Sequence, residues 1–410
     1  MADADRAIAL LRDLAERTSD EHGAQRVAWT DTWALARRWL REQLDAIPGV
    51  AVDVDPAGNL WASAPGESER FVIVGSHLDS VPDGGWLDGA LGVVAGLEVV
   101  RALAGEPRAL GLRVVDWADE EGARFGRSLF GSSAAAGTLD PVAVRGLTDR
   151  DGVALPDALA AHGVDLERAG AAQAGLDGAV AYLELHIEQG PVLERLGAPL
   201  GVVLGTFGVE RHRLRFTGAH AHAGATPMDV RRDAFLAAAR SALAFREDAA
   251  RRSDARATTG SVTVEPGIPT AFNGVCELTL DQRALDATVL AELLGSARRA
   301  AVQLAAEEEC EVAWDPIWSI EPVHFDPGLI ELAAAVVAEV AGSAPRLPSG
   351  PLHDASEMAR VVPSAMLFAR SLGGVSHTNA EDSPVEDLAL AVRALADLTR
   401  RVCARPPGES

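Results

Sequence analysis

The chain has 410 residues, 48% of them apolar, which suffices for substantial cores in two domains and excludes a disordered chain. Its 60 acidic residues against 37 basic ones give a formal charge of −23, which argues against nucleic acid or an anionic membrane surface as a partner. No block of like charges stands out as a tail, so the acidic excess is read as solubility.

The opening MADADRAIALLRDLAERTSD alternates charges with apolar residues at helical spacing and has no uninterrupted apolar region; it predicts a first helix, not a signal peptide. No apolar run approaches the ~18 residues of a spanning helix, so a soluble protein is expected. FVIVGSH, LRVVDWA and AYLELHI are short runs of the kind that fill buried strands, and helical patterns separate them. Together they predict an α/β fold with a mostly parallel sheet covered by helices. From Val209 the pattern changes to strand, loop with His220 and His222, helix, two strands, helix and strand. That order predicts a smaller α+β domain over residues 209–321, inserted in a larger domain made of residues 1–208 and 322–410. In the returning segment, DPGLIELAAAVVAEVAG reads as a helix ended by Gly342 and SAMLFAR as a strand. SPVEDLALAVRALADLTRRV reads as the final helix, with Ser383 as N-cap and Pro384 at N1. Cys276, Cys310 and Cys403 lack zinc spacing and cannot all pair, which favours reduced thiols in the cytoplasm.

Residues able to carry chemistry fall at the ends of the predicted strands. His77 follows FVIVGS and emerges at a strand's carboxyl end, where open α/β sheets carry their sites. Asp79 is placed to receive the second imidazole N–H, and Asp88, in a Gly-rich turn, is a carboxylate of the kind that bridges two cations. LRVVDWA runs into Asp119-Glu120-Glu121; neighbouring side chains there point different ways, so one can bind metal while the other acts as a general base. His186, Glu188 and Gln189 end AYLELHI, and His377 sits in the Gly/Ser loop LGGVSHTNAED. Each His alone is an ordinary loop or core residue. Four such groups, each directly after a strand or a Gly-rich turn, make coincidence improbable.

These stretches resemble the amidohydrolase branch of the M20 metallopeptidase family, the group of N-carbamoyl-L-amino acid hydrolases, allantoate amidohydrolases and β-ureidopropionases. The match runs nearly end to end, through DPAGNLWA, GSHLDSVPDGGWLDG, DEEGARFGRSLFGS, ELHIEQGPVLE, HAGATPMDVRRDA, LPSGPLHDA and GGVSHTNAE. The resemblance implies two divalent metal ions, with Asp88 bridging, His77 and His186 completing one ion, and Glu121 and His377 the other. Glu120 is then the general base. This N/O donor set suits Zn, Mn, Co or Ni and disfavours Ca or Mg. Within the inserted domain, which is a lid and dimerisation domain in relatives, the resemblance makes His222 the oxyanion stabiliser and assigns the substrate carboxylate to Asn273 and Arg283. It gives Gln189 the ureido end and puts His353 in the pocket wall. A guanidinium fork matches a carboxylate bidentately, which supports Arg283 independently; the plain alternative is a surface ion pair at a strand end.

The implied reaction is hydrolysis of the ureido C–N bond of an N-carbamoyl-L-amino acid, with allantoate hydrolysis as the runner-up and deacylation of an N-acyl amino acid or dipeptide as a third reading. The partners expected are a small carboxylate-bearing ureido or amide substrate and a second copy of the chain. Two departures bear on substrate choice. Asn273 is followed at once by GVCEL, where relatives usually carry a Val/Ile-Pro-Gly turn, and GPLHDA replaces Gly-Ala-Gly-His-Asp, adding Pro351 and Leu352 beside His353. Other classes fit less well. DGALGVVAG lacks G-x-G-x-x-G spacing and Asp88 would oppose a pyrophosphate, Cys276 alternates within a predicted strand, and a non-catalytic binding protein on this scaffold would be expected to have lost a ligand or Glu120.

Overall fold

The computed structural model describes residues 2–404. The chain forms two compact units, one containing the chain up to Leu204 and again from Phe325, the other running Gly205–His324. In chain order the strands are β1 (Ala51–Val54), β2 (Leu60–Ala64), β3 (Phe71–His77), β4 (Gly111–Trp117), β5 (Ala179–Ile187) and β6 (Leu200–Thr206). Those of the second unit are β7 (Gly208–Thr217), β8 (Arg256–Glu265), β9 (Val275–Ala284) and β10 (Glu311–Ile320), and the chain returns through β11 (Ser364–Ala369). The long α-helices are α1 (Ala4–Thr18), α2 (Asp31–Asp45), α3 (Ala90–Leu103), α4 (Ala234–Ala250), α5 (Ala287–Glu307), α6 (Pro327–Ala341) and α7 (Val385–Cys403). Among the described residues no helix is long and apolar enough to cross a membrane.

The large sheet runs β6–β11–β5–β3–β4–β2–β1, with the short strands Val323–His324 and Arg346–Ser349 also pairing with β6. β11, β5, β3 and β4 are mutually parallel, whereas β6, β2 and β1 pair antiparallel at the flanks. The sheet is therefore mixed, and the mostly parallel expectation holds for its central strands alone. Those strands carry the continuous apolar runs, since helices cover both of their faces. β3 is buried along its whole length, and α3, whose GVVAGLEVV has no polar face, is buried on nearly every side. Glu98, the acidic residue of α3, is neutralised by Arg6 at 2.7 Å and by Arg101. α7 begins one residue later than its sequence signal: Pro384 is the N-cap, and the Ser383 hydroxyl is buried without capping the helix.

The second unit is a four-stranded antiparallel sheet, β8–β9–β7–β10, with α4 and α5 packed against it. β9 alternates between buried and half-buried residues along its length, the period of a strand with one covered face. Leu214, Phe216, Cys276, Leu278 and Leu280 meet Ala237, Phe245, Ala297 and Ala301 in its core. All three cysteines are buried and free.

Candidate metal centre

Each of the four parallel strands delivers candidate site residues at or beyond its carboxyl end. β3 ends at His77 and leads to Asp88, β4 leads into Asp119-Glu120-Glu121, β5 carries His186 just ahead of Gln189, and β11 leads to His377. Parallel alignment brings those ends to one edge of the sheet, which is why residues 300 positions apart in sequence meet. His77, Asp88 and His186 form one group able to hold a metal ion, and Asp88, Glu121 and His377 form another, with ligand atoms within 4.8 Å of one another in each. Asp88 is common to both. Its Oδ1 lies 3.0 Å from His186 Nε2 and 3.8 Å from His77 Nε2, and its Oδ2 lies 3.3 Å from His377 Nε2. Glu121 Oε2 is 3.5 Å from His377 Nε2, while Glu120 Oε2 approaches His77 Nε2 at 3.8 Å, so the adjacent glutamates reach different halves of the centre.

The supports differ in part from the sequence reading. The second nitrogen of His77 meets the backbone carbonyl of Asp79 at 3.0 Å, with the Asp79 carboxylate farther away at 3.6 Å. That carboxylate instead accepts the backbone N–H groups of Glu120 and Glu121 at 3.2 and 3.1 Å. Asp79 therefore anchors the glutamate turn, and its carbonyl, not its carboxylate, orients the ring. His186 is held in the same manner by the carbonyl of Ile187 at 2.9 Å, which presents Nε2 to the centre. Gly89, at φ 62°, is required here, because a Cβ on it would lie 2.4 Å from His77 Cε1.

His353 is 1% exposed. Its ring lies 4.5 Å from that of His186 and its Nε2 meets Ser349 Oγ at 2.9 Å, so in this conformation it backs a candidate ligand rather than walling an open pocket. Gln189, at φ 57°, donates its amide to Asp88 Oδ2 at 2.8 Å and to Ser376 Oγ at 3.2 Å, which seats it among the candidate ligands. Glu188 caps the following short helix, accepting from Val192 and Leu193. Two supports escaped the sequence reading. Glu381 accepts the N–H groups of Leu87 and Asp88 at 3.1 and 3.0 Å and the hydroxyl of Ser376 at 2.7 Å, tying the Asp88 turn to the His377 loop. Its signal was present, a carboxylate four residues after His377 in the same run. Arg26, fully buried with Nε on the Leu78 carbonyl at 2.8 Å, had none.

Electrostatics test whether the residues present suit cations. Burial, followed by the charges of Asp354, Glu121, Asp79 and Asp88, pushes Glu120 well above the ordinary carboxylate value. Burial, then Asp88 and Asp79, do the same to Glu121. Burial lowers His77 to about 4; for His186 burial acts the same way, but the hydrogen bond and charge of Asp88 prevail and hold it up at about 9. Glu121 Oε1 and Gln189 Oε1 are buried without a hydrogen-bond partner. A cluster of buried carboxylates and imidazoles with unsatisfied oxygens is the environment that divalent cations relieve. The donors fit them.

The remaining residues lie in the second unit. His222 is in a two-residue strand paired with Ala271–Phe272, and its Nδ1 accepts the N–H groups of Gly224 and Ala225, both at 3.1 Å. Nε2 therefore carries the proton and is a donor, the form an oxyanion requires. Asn273 follows that pairing directly, with its side-chain oxygen accepting Gly267 N–H at 3.0 Å. Arg283 lies near the opposite end of β9, in an ion pair with Asp281 at 2.8 Å that Arg211 also joins at 2.6 Å. β9 pairs with β7 in unbroken register from Val275 to Ala284. Ten residues of extended chain put Asn273 and Arg283 roughly 30 Å apart. One chain cannot bring both to the same small carboxylate, so a shared role requires one of them to come from a second copy.

A model of peptidase family M20/M25/M40 matches residues 73–401. An N-carbamoyl-L-amino acid amidohydrolase of Geobacillus stearothermophilus is 38% identical over 366 residues, covering 88% of each chain. An allantoate amidohydrolase of Bacillus subtilis is 31% identical, covering 93% of each. Among solved structures, a hydantoinase/carbamoylase family amidase from Burkholderia multivorans superposes with a TM-score of 0.91 at 32% identity, covering 99% of each chain.

Proposed function

From the premise that the chain belongs to peptidase family M20/M25/M40, we propose that it is an amidohydrolase cleaving the ureido C–N bond of N-carbamoyl-L-amino acids. The observation that carries the reading is Asp88, a single carboxylate shared by two ligand groups, with Glu120 beside them and outside both. His77, His186 and Asp88 would hold one divalent ion and Asp88, Glu121 and His377 a second, Zn, Mn, Co or Ni, which supply an acidified water and a polarised carbonyl when bound.

Glu120 takes the proton of the attacking water and passes it to the leaving nitrogen. Its Oε2 lies 3.8 Å from His77 Nε2, beside both ligand groups, which gives it the reach that both transfers require. Arg283, with Asp281 fixing its fork, receives the substrate carboxylate. His222 donates from Nε2 to the developing oxyanion, and Asn273, at the same end of the unit, joins in binding the substrate carboxylate. Gln189 turns its amide to the ureido end once released from Asp88, and His353 steadies His186.

The separation of Asn273 from Arg283 leads us to assign them to different active sites in a homodimer, in which each chain lends His222 and Asn273 to its partner. The second unit is then lid and dimerisation domain together. β8 supports this. It is an edge strand, TTGSVTV in its middle, with none of the proline that blunts the other edge at Pro316. Beside it Phe235, Leu243 and Val262 are exposed around a groove of about 550 Å³. The buried free thiols of Cys276, Cys310 and Cys403 support a cytoplasmic location.

The test is release of ammonia and free amino acid by metal-stripped protein reloaded separately with Mn, Co, Ni and Zn, against N-carbamoyl-L-amino acids, allantoate and N-acetyl amino acids. Metal-dependent turnover should be greatest on an N-carbamoyl-L-amino acid. Preference for allantoate would move the substrate assignment, and silence on every substrate with both sites filled would favour a binding protein on the same scaffold.

A further inference from the structure

Past β4 the chain leaves the sheet, and its backbone N–H groups need new acceptors. Side chains supply them. Asn59 Oδ1 accepts from Ala118 at 3.0 Å, Asp79 from Glu120 and Glu121 at 3.2 and 3.1 Å, and Asp119 Oδ1 from Gly122 at 3.1 Å. Asp119 has φ 59°, in the left-handed region that Asp tolerates better than most residues. Its second oxygen accepts the indole N–H of Trp29 at 2.7 Å, with both residues at most 2% exposed. Trp29 is itself at φ 61°, packs edge-on against Phe130, and has its carbonyl held by Arg124 from just beyond the turn. Strained conformations on both partners of one buried hydrogen bond mark a device that the surroundings over-determine.

We propose that Trp29 and Asp119 are positioning residues that fix the Asp119–Gly122 turn so that Glu120 faces the His77 half of the centre and Glu121 the His377 half. Neither belongs to a ligand group, so they act through the turn. The inference rests on Glu121 being a ligand and Glu120 the base.

Trp29→Phe removes the indole N–H. Asp119→Asn keeps an acceptor for Gly122, tolerates the left-handed conformation, and turns an amide donor toward Trp29. In each folded variant kcat should fall about tenfold or more while KM stays within about twofold, and the ion held through Glu121 should be lost to a competing chelator at about 10–100-fold lower chelator concentration. The double variant should lose no more than the worse single one, because both break the same link. Circular dichroism and thermal melting check folding, and Asp119→Asn, the smaller change, carries the test if Trp29→Phe does not fold. A lower melting temperature with wild-type kcat and metal affinity would overturn the proposal, as would additive losses. Glu120→Gln, measured alongside, separates the levels: an active Glu120→Gln enzyme removes the functional reading, whereas an inactive one beside wild-type-like Trp29→Phe and Asp119→Asn enzymes removes the positioning proposal alone.

Discussion

His186 Nε2 lies 3.0 Å from Oδ1 of Asp88, on the carboxylate whose other oxygen faces His377. A residue placed between two ligand groups should matter to both. Asp88→Ala should leave essentially no tightly bound metal after dialysis, whereas His377→Ala should retain about one ion where the wild type holds about two, by elemental analysis. Equal loss in the two variants would show that Asp88 does not bridge.

Glu120 sits beside the centre but outside both ligand groups. Glu120→Gln should therefore bind metal as the wild type does and lose kcat by about 10²–10⁴-fold, the range expected when a general base is removed. Metal content and turnover measured on one preparation decide the point, since a parallel loss of metal would make Glu120 a ligand.

Much of the candidate site was legible because each candidate ligand ends or follows a strand, and strand ends are marked by apolar runs that stop at Gly, His or acidic residues. Strand direction was not, because a run such as LGVVLGT reads the same whether it pairs parallel or antiparallel; β6 pairs antiparallel with β11. The Asp79 carboxylate was misassigned since His77-x-Asp79 spacing fixes proximity but not which oxygen turns toward the ring. Trp29 lies 90 residues from Asp119, and nothing local in VAWT announces an indole aimed at a distant carboxylate. The separation of Asn273 from Arg283 within one chain was readable in principle. GVCELTLDQR alternates without a break, and a strand of that length separates its ends by roughly 30 Å.

In the metal-free protein, stability should fall as pH rises from about 6.5 to about 9. His186 is held up at about 9, above the ordinary value near 6.5, so its contribution is complete below 6.5 and is lost as pH climbs through 9. Glu120 and Glu121 are raised as well, and a carboxyl raised on folding contributes with the same sign. His77, lowered to about 4, is neutral in the folded state throughout, and its unfolded form, with the ordinary value near 6.5, opposes them only at the bottom of the window. Bound cations replace those protons, so the metal-loaded protein should lose this dependence. Melting temperatures of both forms across the window test it, and a metal-free protein that grows more stable toward pH 9 would contradict the assignment of His186.

The distance along β9 makes its sharpest prediction for mixed dimers. Arg283→Ala and His222→Ala homodimers should each be nearly inactive. If His222 serves the partner's site, a dimer with one chain of each kind holds one site with both defects and one with neither. Random reassortment puts half of the dimers in that mixed class, each with one working site of two, so activity should recover to about a quarter of wild type. If both residues served their own chain, every site in the mixture would carry one defect and nothing would be regained. The same mixture should have a KM close to wild type, because the working sites are intact and differ only in number.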